Sequence, residues 1–347
     1  MKTDSKVFSR NGRIDIMKGV CIILMVWGHS GEFGTHFVSL FHMAVFFMIS
    51  GFLFKESNTD SREALLGFCM RKLKSLWLPY VLWNAVFTLL SKGGMTGKEM
   101  FTNILKGIFF AGGTQIGGAL WFLKVLFVVS VAYACIDFLI KRIARSEKGR
   151  MIVQGMVSLL LLGCGYYCNM KEHALFGIST AFSCYSLFYL GVFLKDYMDK
   201  MRNKYISCSL CTVSVVILIL CNRIESIAIN LNQYENPITY LLAALAGWFL
   251  LYKISEILYN LSGIKHFLSI LGQNTLAIVA LHLLCFRMVN WIQVEIYDMP
   301  FNMITSFPVL YGIGMWRALY TIVGIAIPVA LNIGRKKIKT VITNRSA

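Results

Sequence analysis

Lys18-Gly-Val-Cys-Ile-Ile-Leu-Met-Val-Trp-Gly-His29 sets a cation and an imidazole at the two ends of one apolar run. Eleven residues of helix make close to three full turns, so both side chains fall on nearly one face. A charge at lipid depth is costly and normally faces a protein interior, a cavity or a substrate path. The run therefore reads as a membrane helix with a functional stripe.

The rest of the chain continues the same pattern. Its 347 residues are 57% hydrophobic and only 15% charged, and the mean hydropathy is +0.64. Those values lie far outside the soluble range. Apolar stretches of spanning length recur throughout. They fall at roughly 14–33, 36–55, 76–92, 118–140, 151–169, 175–197, 206–222, 237–258, 267–291 and 312–333. The expected fold is all-α: a polytopic membrane helical bundle of about ten transmembrane helices. One integral domain, 1–347, with short tails at about 1–13 and 335–347, leaves no room for a large soluble domain.

The net charge of +17 would suit nucleic acid if it were spread over one face. Instead it alternates with the spans. One side collects Lys2, Lys6, Arg10, Arg13, Lys55, Arg62, Arg71, Lys72, Lys74 and the basic clusters within 141–150, 195–204, 253–265 and 335–345. The other side collects Lys92, Lys98, Lys106, Lys171 and Arg223. By the positive-inside rule the N- and C-termini are cytoplasmic and the number of spans is even. The cations then meet membrane lipids, and nucleic acid is not an expected partner. The first run is too long for a cleaved signal peptide.

The ten cysteines are scattered, mostly within spans, and read as buried free thiols; this includes the Cys208/Cys211 pair at the head of a helix. The stretch 91–118, with its glycine pairs and the apolar Ile104–Phe110, is the least regular. It lacks Walker spacing and reads as an outer loop or a re-entrant lid.

Three histidines fall at similar expected depths. At 1.5 Å per residue, His29 lies ~24 Å, His42 ~20 Å and His282 ~25 Å above the inner boundary, measured from Arg13, Lys55 and Lys265. Histidine suits proton transfer near neutral pH, and a base acting on a hydroxyl needs that residue type. Zinc is the competing chemistry. The chain has no HExxH and no acidic ligand at suitable spacing, although Glu32 lies close to His29, so no metal is expected.

The cations divide by side. Lys18 near the inner end could contact an anion such as a nucleotide phosphate, or could pair with Asp15 three residues earlier. Arg71 and Lys74, one turn apart in an inner loop, suit a diphosphate or are positive-inside residues only. Arg287 and Arg317, toward the outer ends of their spans, could snorkel, contact an anionic acceptor, or pair with Glu295 or Asp298. Trp121 opens a span at the outer boundary, where aromatic belts are expected.

These residues together resemble the acyltransferase-3 family of integral membrane acyltransferases, including its fucose 4-O-acetylase-like members. The resemblance covers nearly the whole chain. Its strongest stretch runs from Arg13-Ile-Asp15-Ile-Met-Lys18-Gly19 through Gly28-His29 and Phe41-His42-Met43 to Phe46-Phe47-Met48-Ile49-Ser50-Gly51. It continues in Arg71-x-x-Lys74, Pro79-Tyr80, Ala119-Leu-Trp121 and Gly272-Gln-Asn-Thr-Leu with His282. The order of the motifs is specific, whereas each alone is weak.

The resemblance implies an O-acyltransferase of the bacterial inner (plasma) membrane, multi-pass, moving acetyl from acetyl-CoA to a hydroxyl of a cell-envelope glycan, extracellular polysaccharide or lipid-linked precursor. It implies His29 as the catalytic histidine, with Lys18 and His42 beside it. Arg71, Lys74 and Lys18 would hold the CoA phosphates. Lys74 stands where Arg is common, which loses bidentate geometry. The acceptor would meet Trp121, His282, Arg287, Arg317 and Glu32. No fused extracytoplasmic esterase-like domain is expected. A transporter of an acylated polymer or small anion is the alternative, since intramembrane Lys, Arg and His also suit a proton-coupled carrier. A non-catalytic scaffold is the third reading.

Overall fold

The computed structural model describes residues 2–91, 96–108, 113–144, 146–172, 178–197 and 204–345, with the side chains of 2–11, 196, 204–207 and 342–345 outside that description. In chain order the helices are α1 (Lys2–His29), α2 (Thr35–Ser39), α3 (His42–Phe52), α4 (Arg62–Lys72), α5 (Leu78–Leu90), α6 (Gly97–Ile108) and α7 (Trp121–Ile143). They continue as α8 (Glu147–Met170), α9 (Ile178–Tyr197), α10 (Lys204–Ile224), α11 (Pro237–Tyr259), α12 (Ser262–Gln273), α13 (Thr275–Ile296) and α14 (Gly314–Arg345). No strand occurs among the described residues. Among the described residues eight helical stretches are long and apolar enough to cross a membrane. The protein is an all-α, multi-pass membrane bundle.

Two other expected spans differ from those eight for visible reasons. Helix α1 has 28 residues, which is ample length, but its last part carries Arg13, Asp15 and Lys18. The apolar part of α10, Cys208–Ile224, is short. Apolar side chains such as Ile152, Met156, Leu159 and Leu160 on α8 stay exposed, as hydrocarbon-facing positions do.

Several expected boundaries shift. The inner loop expected to carry Arg71 and Lys74 is helical: α4 runs into a π-helical turn, Leu73–Trp77, and then into α5. Pro79 has no N–H and its ring crowds the carbonyl four residues back, so a widened turn just before it keeps the helix continuous. The expected span 267–291 is two helices, α12 and α13, broken at Asn274. The expected span 36–55 is α2 and α3 with a break at Leu40-Phe41. In the irregular 91–118 stretch, Thr96 and Glu99 start α6 with a reciprocal cap. Thr96 Oγ1 accepts from the Glu99 N–H at 3.3 Å, and Glu99 Oε2 accepts from the Thr96 N–H at 2.8 Å. The Thr96 N–H, together with the Thr96 hydroxyl that also donates to Oε2 at 3.0 Å, holds the Glu99 carboxyl below its usual range. The glycines at 93, 94 and 112, the Phe109-Phe110 end of the apolar segment, and Lys92, Arg145, Lys200 and Arg202 lie outside the described residues.

The chain forms two compact units, 1–38 with 251–347, and 39–250. In the first, α1 packs on α12 through two glycines. A side chain on Gly19 would strike the Leu268 backbone, and one on Gly272 would strike the Asp15 backbone. Small residues let helix backbones approach this closely in membranes. Helices α13 and α14 pack antiparallel: Asn274 meets Asn332, Phe286 meets Gly324, and Asn290 meets Tyr320. In the second unit α3 and α9 repeat the device, with Gly51 against the Phe188 backbone and Gly191 against that of Met48. Asp137, 3% exposed, gathers Thr59 (2.5 Å), Lys141 (3.9 Å) and Arg150 (3.8 Å) where α7 and α8 meet.

Candidate active site

His29 is the last residue of α1. Its ring lies 5.3 Å from that of His282, centroid to centroid, tilted by 38°. His282 belongs to α13 and is fully buried. Its Nδ1 lies 2.9 Å from the Ile278 carbonyl oxygen. A carbonyl only accepts, so Nδ1 carries the proton and Nε2 of the neutral ring keeps its lone pair. That Nε2 is buried and has no hydrogen-bond partner among the described residues. The Phe286 ring meets His282 edge-on at 5.6 Å, closing one side with apolar surface. The depth expected for His282 was counted from Lys265 along one continuous helix. That count fails because the helix breaks at Asn274, and it is the ring contact that sets His29 and His282 at one level.

Lys18 pairs with Asp15, Nζ to Oδ1 at 3.4 Å, and both side chains stay about a quarter exposed. Gln273 Nε2 donates to Asp15 Oδ2 at 3.3 Å. The Gly272-Gln273-Asn274 stretch thus has a local logic. Gly272 admits the α1 backbone, Gln273 holds Asp15, and Asn274 Oδ1 accepts from Asn332 Nδ2 at 2.7 Å and Lys336 Nζ at 3.3 Å.

Arg317 neither snorkels nor pairs with Glu295 or Asp298. It is 7% exposed and turned onto the end of α1. Nη1 donates to the Phe33 carbonyl at 2.6 Å. Nη2 donates to the carbonyls of Trp27 at 3.0 Å and Gly31 at 3.3 Å. The last carbonyls of a helix have no partner within it, so a guanidinium there is favourable. Arg287 is half-buried with no ion-pair partner among the described residues, and Glu32 is exposed in the turn after α1.

The second unit holds the other candidates. His42 is the first residue of α3. Phe47, the second residue of the Phe46–Gly51 motif, meets the rings of Trp121 at 6.3 Å and Phe122 at 5.2 Å. Trp121 is therefore a partner of that motif. Arg71 and Lys74 are both exposed. Arg71 Nη2 donates to Asn58 Oδ1 at 2.8 Å, and Lys74 lies in the π-helical turn. Such turns are frequent at functional sites.

One group passed unnoticed in the sequence. Asn290 and Gln293, both fully buried on α13, hold the 304–311 segment. Asn290 Nδ2 donates to the carbonyls of Ile304 (2.9 Å) and Ser306 (3.0 Å), and Gln293 Nε2 to that of Tyr311 (3.0 Å). Tyr320 donates to both amide oxygens. Two amides three residues apart in an apolar helix were the available signal. Among the described residues no group of three or more His, Cys, Asp or Glu side chains could hold a metal ion.

No curated protein and no solved structure matches the chain. The family model described as an acyltransferase domain matches residues 11–332, from before Arg13 to within α14. A match over nearly the whole chain, on a multi-pass helical fold, makes the protein a membrane acyltransferase, and the chain belongs to the acyltransferase-3 family.

Proposed function

We propose that the protein moves acetyl from acetyl-CoA to a hydroxyl of a cell-envelope glycan or its lipid-linked precursor, with His29 as general base. The observation that carries this reading is the placement of His29 as the last residue of α1, with the His282 ring against it and Lys18 eleven residues earlier in the same helix. A soluble thioester donor and an extracytoplasmic acceptor need polar chemistry at two depths, and the cation and the imidazole stand about three turns apart along one helix.

In the reaction His29 takes the acceptor hydroxyl proton as the oxygen attacks the thioester carbonyl. The tetrahedral intermediate collapses, the C–S bond breaks, and the proton passes to the departing thiolate. Free CoA and an O-acyl ester result. Lys18 serves the donor's anionic end. The reading sets the termini in the cytoplasm and the protein in the inner membrane of a bacterium, because the basic side of the topology is then the CoA side.

The test is CoA release by purified protein with acetyl-CoA and a panel of envelope glycans. Release should require both an acceptor and His29, falling at least ~100-fold in His29→Ala. Equal release from His29→Ala would remove the base assignment.

A further inference from the structure

We propose that His282 is a positioning residue for His29: its Nε2 lone pair receives an N–H of His29 and so decides which His29 nitrogen faces the reaction. The inference rests on the reading of His29 as the base. It replaces the expectation that His282 meets the acceptor.

Three observations carry it. The Ile278 carbonyl holds Nδ1 in the protonated form, so His282 offers His29 an acceptor and not a second donor. Nε2 is buried without a hydrogen-bond partner among the described residues. An orphaned acceptor in such a place is costly, and a native fold retains one where it has a use. The ring of His29 lies 5.3 Å away, centroid to centroid. Catalytic hydrogen bonds are often long before substrate is bound and tighten in the working complex.

The bond has a direct consequence. A neutral imidazole has one N–H and one lone pair. If His29 gives its N–H to His282, the lone pair is left on its other nitrogen, ready for the acceptor hydroxyl. When His29 takes that proton, both its nitrogens carry hydrogen, and the bond to His282 Nε2 is retained throughout. His282 gains no proton in the cycle. Its role is that of an oriented acceptor, the part a carboxylate plays beside histidine in other hydrolases and transferases.

The experiment uses the full chain in lipid nanodiscs with 15N-labelled histidine, each signal assigned by comparison with single His variants. Wild type should show one tautomer for His29, with one nitrogen protonated and one not. His282→Phe keeps the ring volume and removes the acceptor, and should give exchange-averaged His29 signals. His282→Gln, which restores an oxygen acceptor, should recover the single tautomer. Acetyl-CoA turnover should follow: a kcat loss of ~10-fold to 100-fold in His282→Phe, KM for acetyl-CoA within twofold, and partial recovery in His282→Gln. An unchanged His29 tautomer in a folded His282→Phe protein overturns the proposal. The base assignment fails separately: an active His29→Ala protein removes it even where His282→Phe still averages the His29 tautomers.

Discussion

Arg317 clasps Trp27. Its Nη2 donates to the Trp27 carbonyl at 3.0 Å while its guanidinium carbon lies 3.5 Å from the centre of the Trp27 ring. The same side chain reaches the Phe33 and Gly31 carbonyls, so one planar fork closes the end of the helix that carries His29. Lysine has one ammonium point and no plane to stack, so it cannot replace this geometry. Arg317→Lys should lose about 2–3 kcal/mol, the value of hydrogen bonds to a buried charged group. Thermal unfolding in detergent measures it. A variant melting with the wild type would leave the clasp without a structural role.

The paired glycines make a second prediction. Gly51 and Gly191 each meet the other helix's backbone, and backbone cannot rotate aside as a side chain can. Gly191→Ala should separate α3 from α9 and cost at least the 1–3 kcal/mol typical of overpacking. Gly272→Ala should do the same to α1 and α12. Gly263, with open space around it, is the control: Gly263→Ala should leave the protein monodisperse on size-exclusion chromatography. Equal behaviour of all three variants would sink the close-approach account.

The sequence carried the helical class and the family because both rest on features a linear reading sees. Spanning length, charge alternation and motif order are local. The helix breaks were harder. Asn274 interrupts an apolar run with no proline, and the interruption depends on Asn332 and Lys336, which come 58 and 62 residues later. Arg317 was legible as an intramembrane cation, but its target is a set of backbone carbonyls, which no side-chain pattern reveals. Lys18 was readable either way from its spacing to Asp15, whereas Gln273, which holds that carboxylate from 258 residues away, has no local signal.

Asp137 gives a third prediction. It is 3% exposed and faces Thr59, Gln154, Lys141 and Arg150. Removing one member of a buried ionic group commonly costs about 3–5 kcal/mol, because charge is left uncompensated. Here Arg150 keeps Glu56 at 2.6 Å and Lys141 keeps Asp60 at 2.7 Å. Asp137→Ala should therefore fall at the low end, about 3 kcal/mol, and Asp137→Asn below it. A loss of folded protein from Asp60→Ala equal to that from Asp137→Ala would put the weight on the exposed pair instead.

Lys18 separates two roles that a single substitution would confuse. As a part-exposed ion pair, Lys18–Asp15 contributes at most about 1 kcal/mol to stability. If stability were its whole purpose, Lys18→Gln and Asp15→Asn should lower the melting temperature alike and leave donor kinetics alone. If Lys18 serves the donor, the two variants should diverge. Lys18→Gln removes a charge-assisted bond of about 1.5 kcal/mol, which raises KM for acetyl-CoA about tenfold. Asp15→Asn frees Lys18 from a competing carboxylate and should hold KM steady or lower it. Gln273 gives the third arm: Gln273→Leu loosens Asp15 without touching either charge, so its KM should stay near wild type. Steady-state CoA release across an acetyl-CoA series reads all three. The donor role fails if Lys18→Gln and Asp15→Asn raise KM together, for then the intact pair, and not the cation, is what the donor needs.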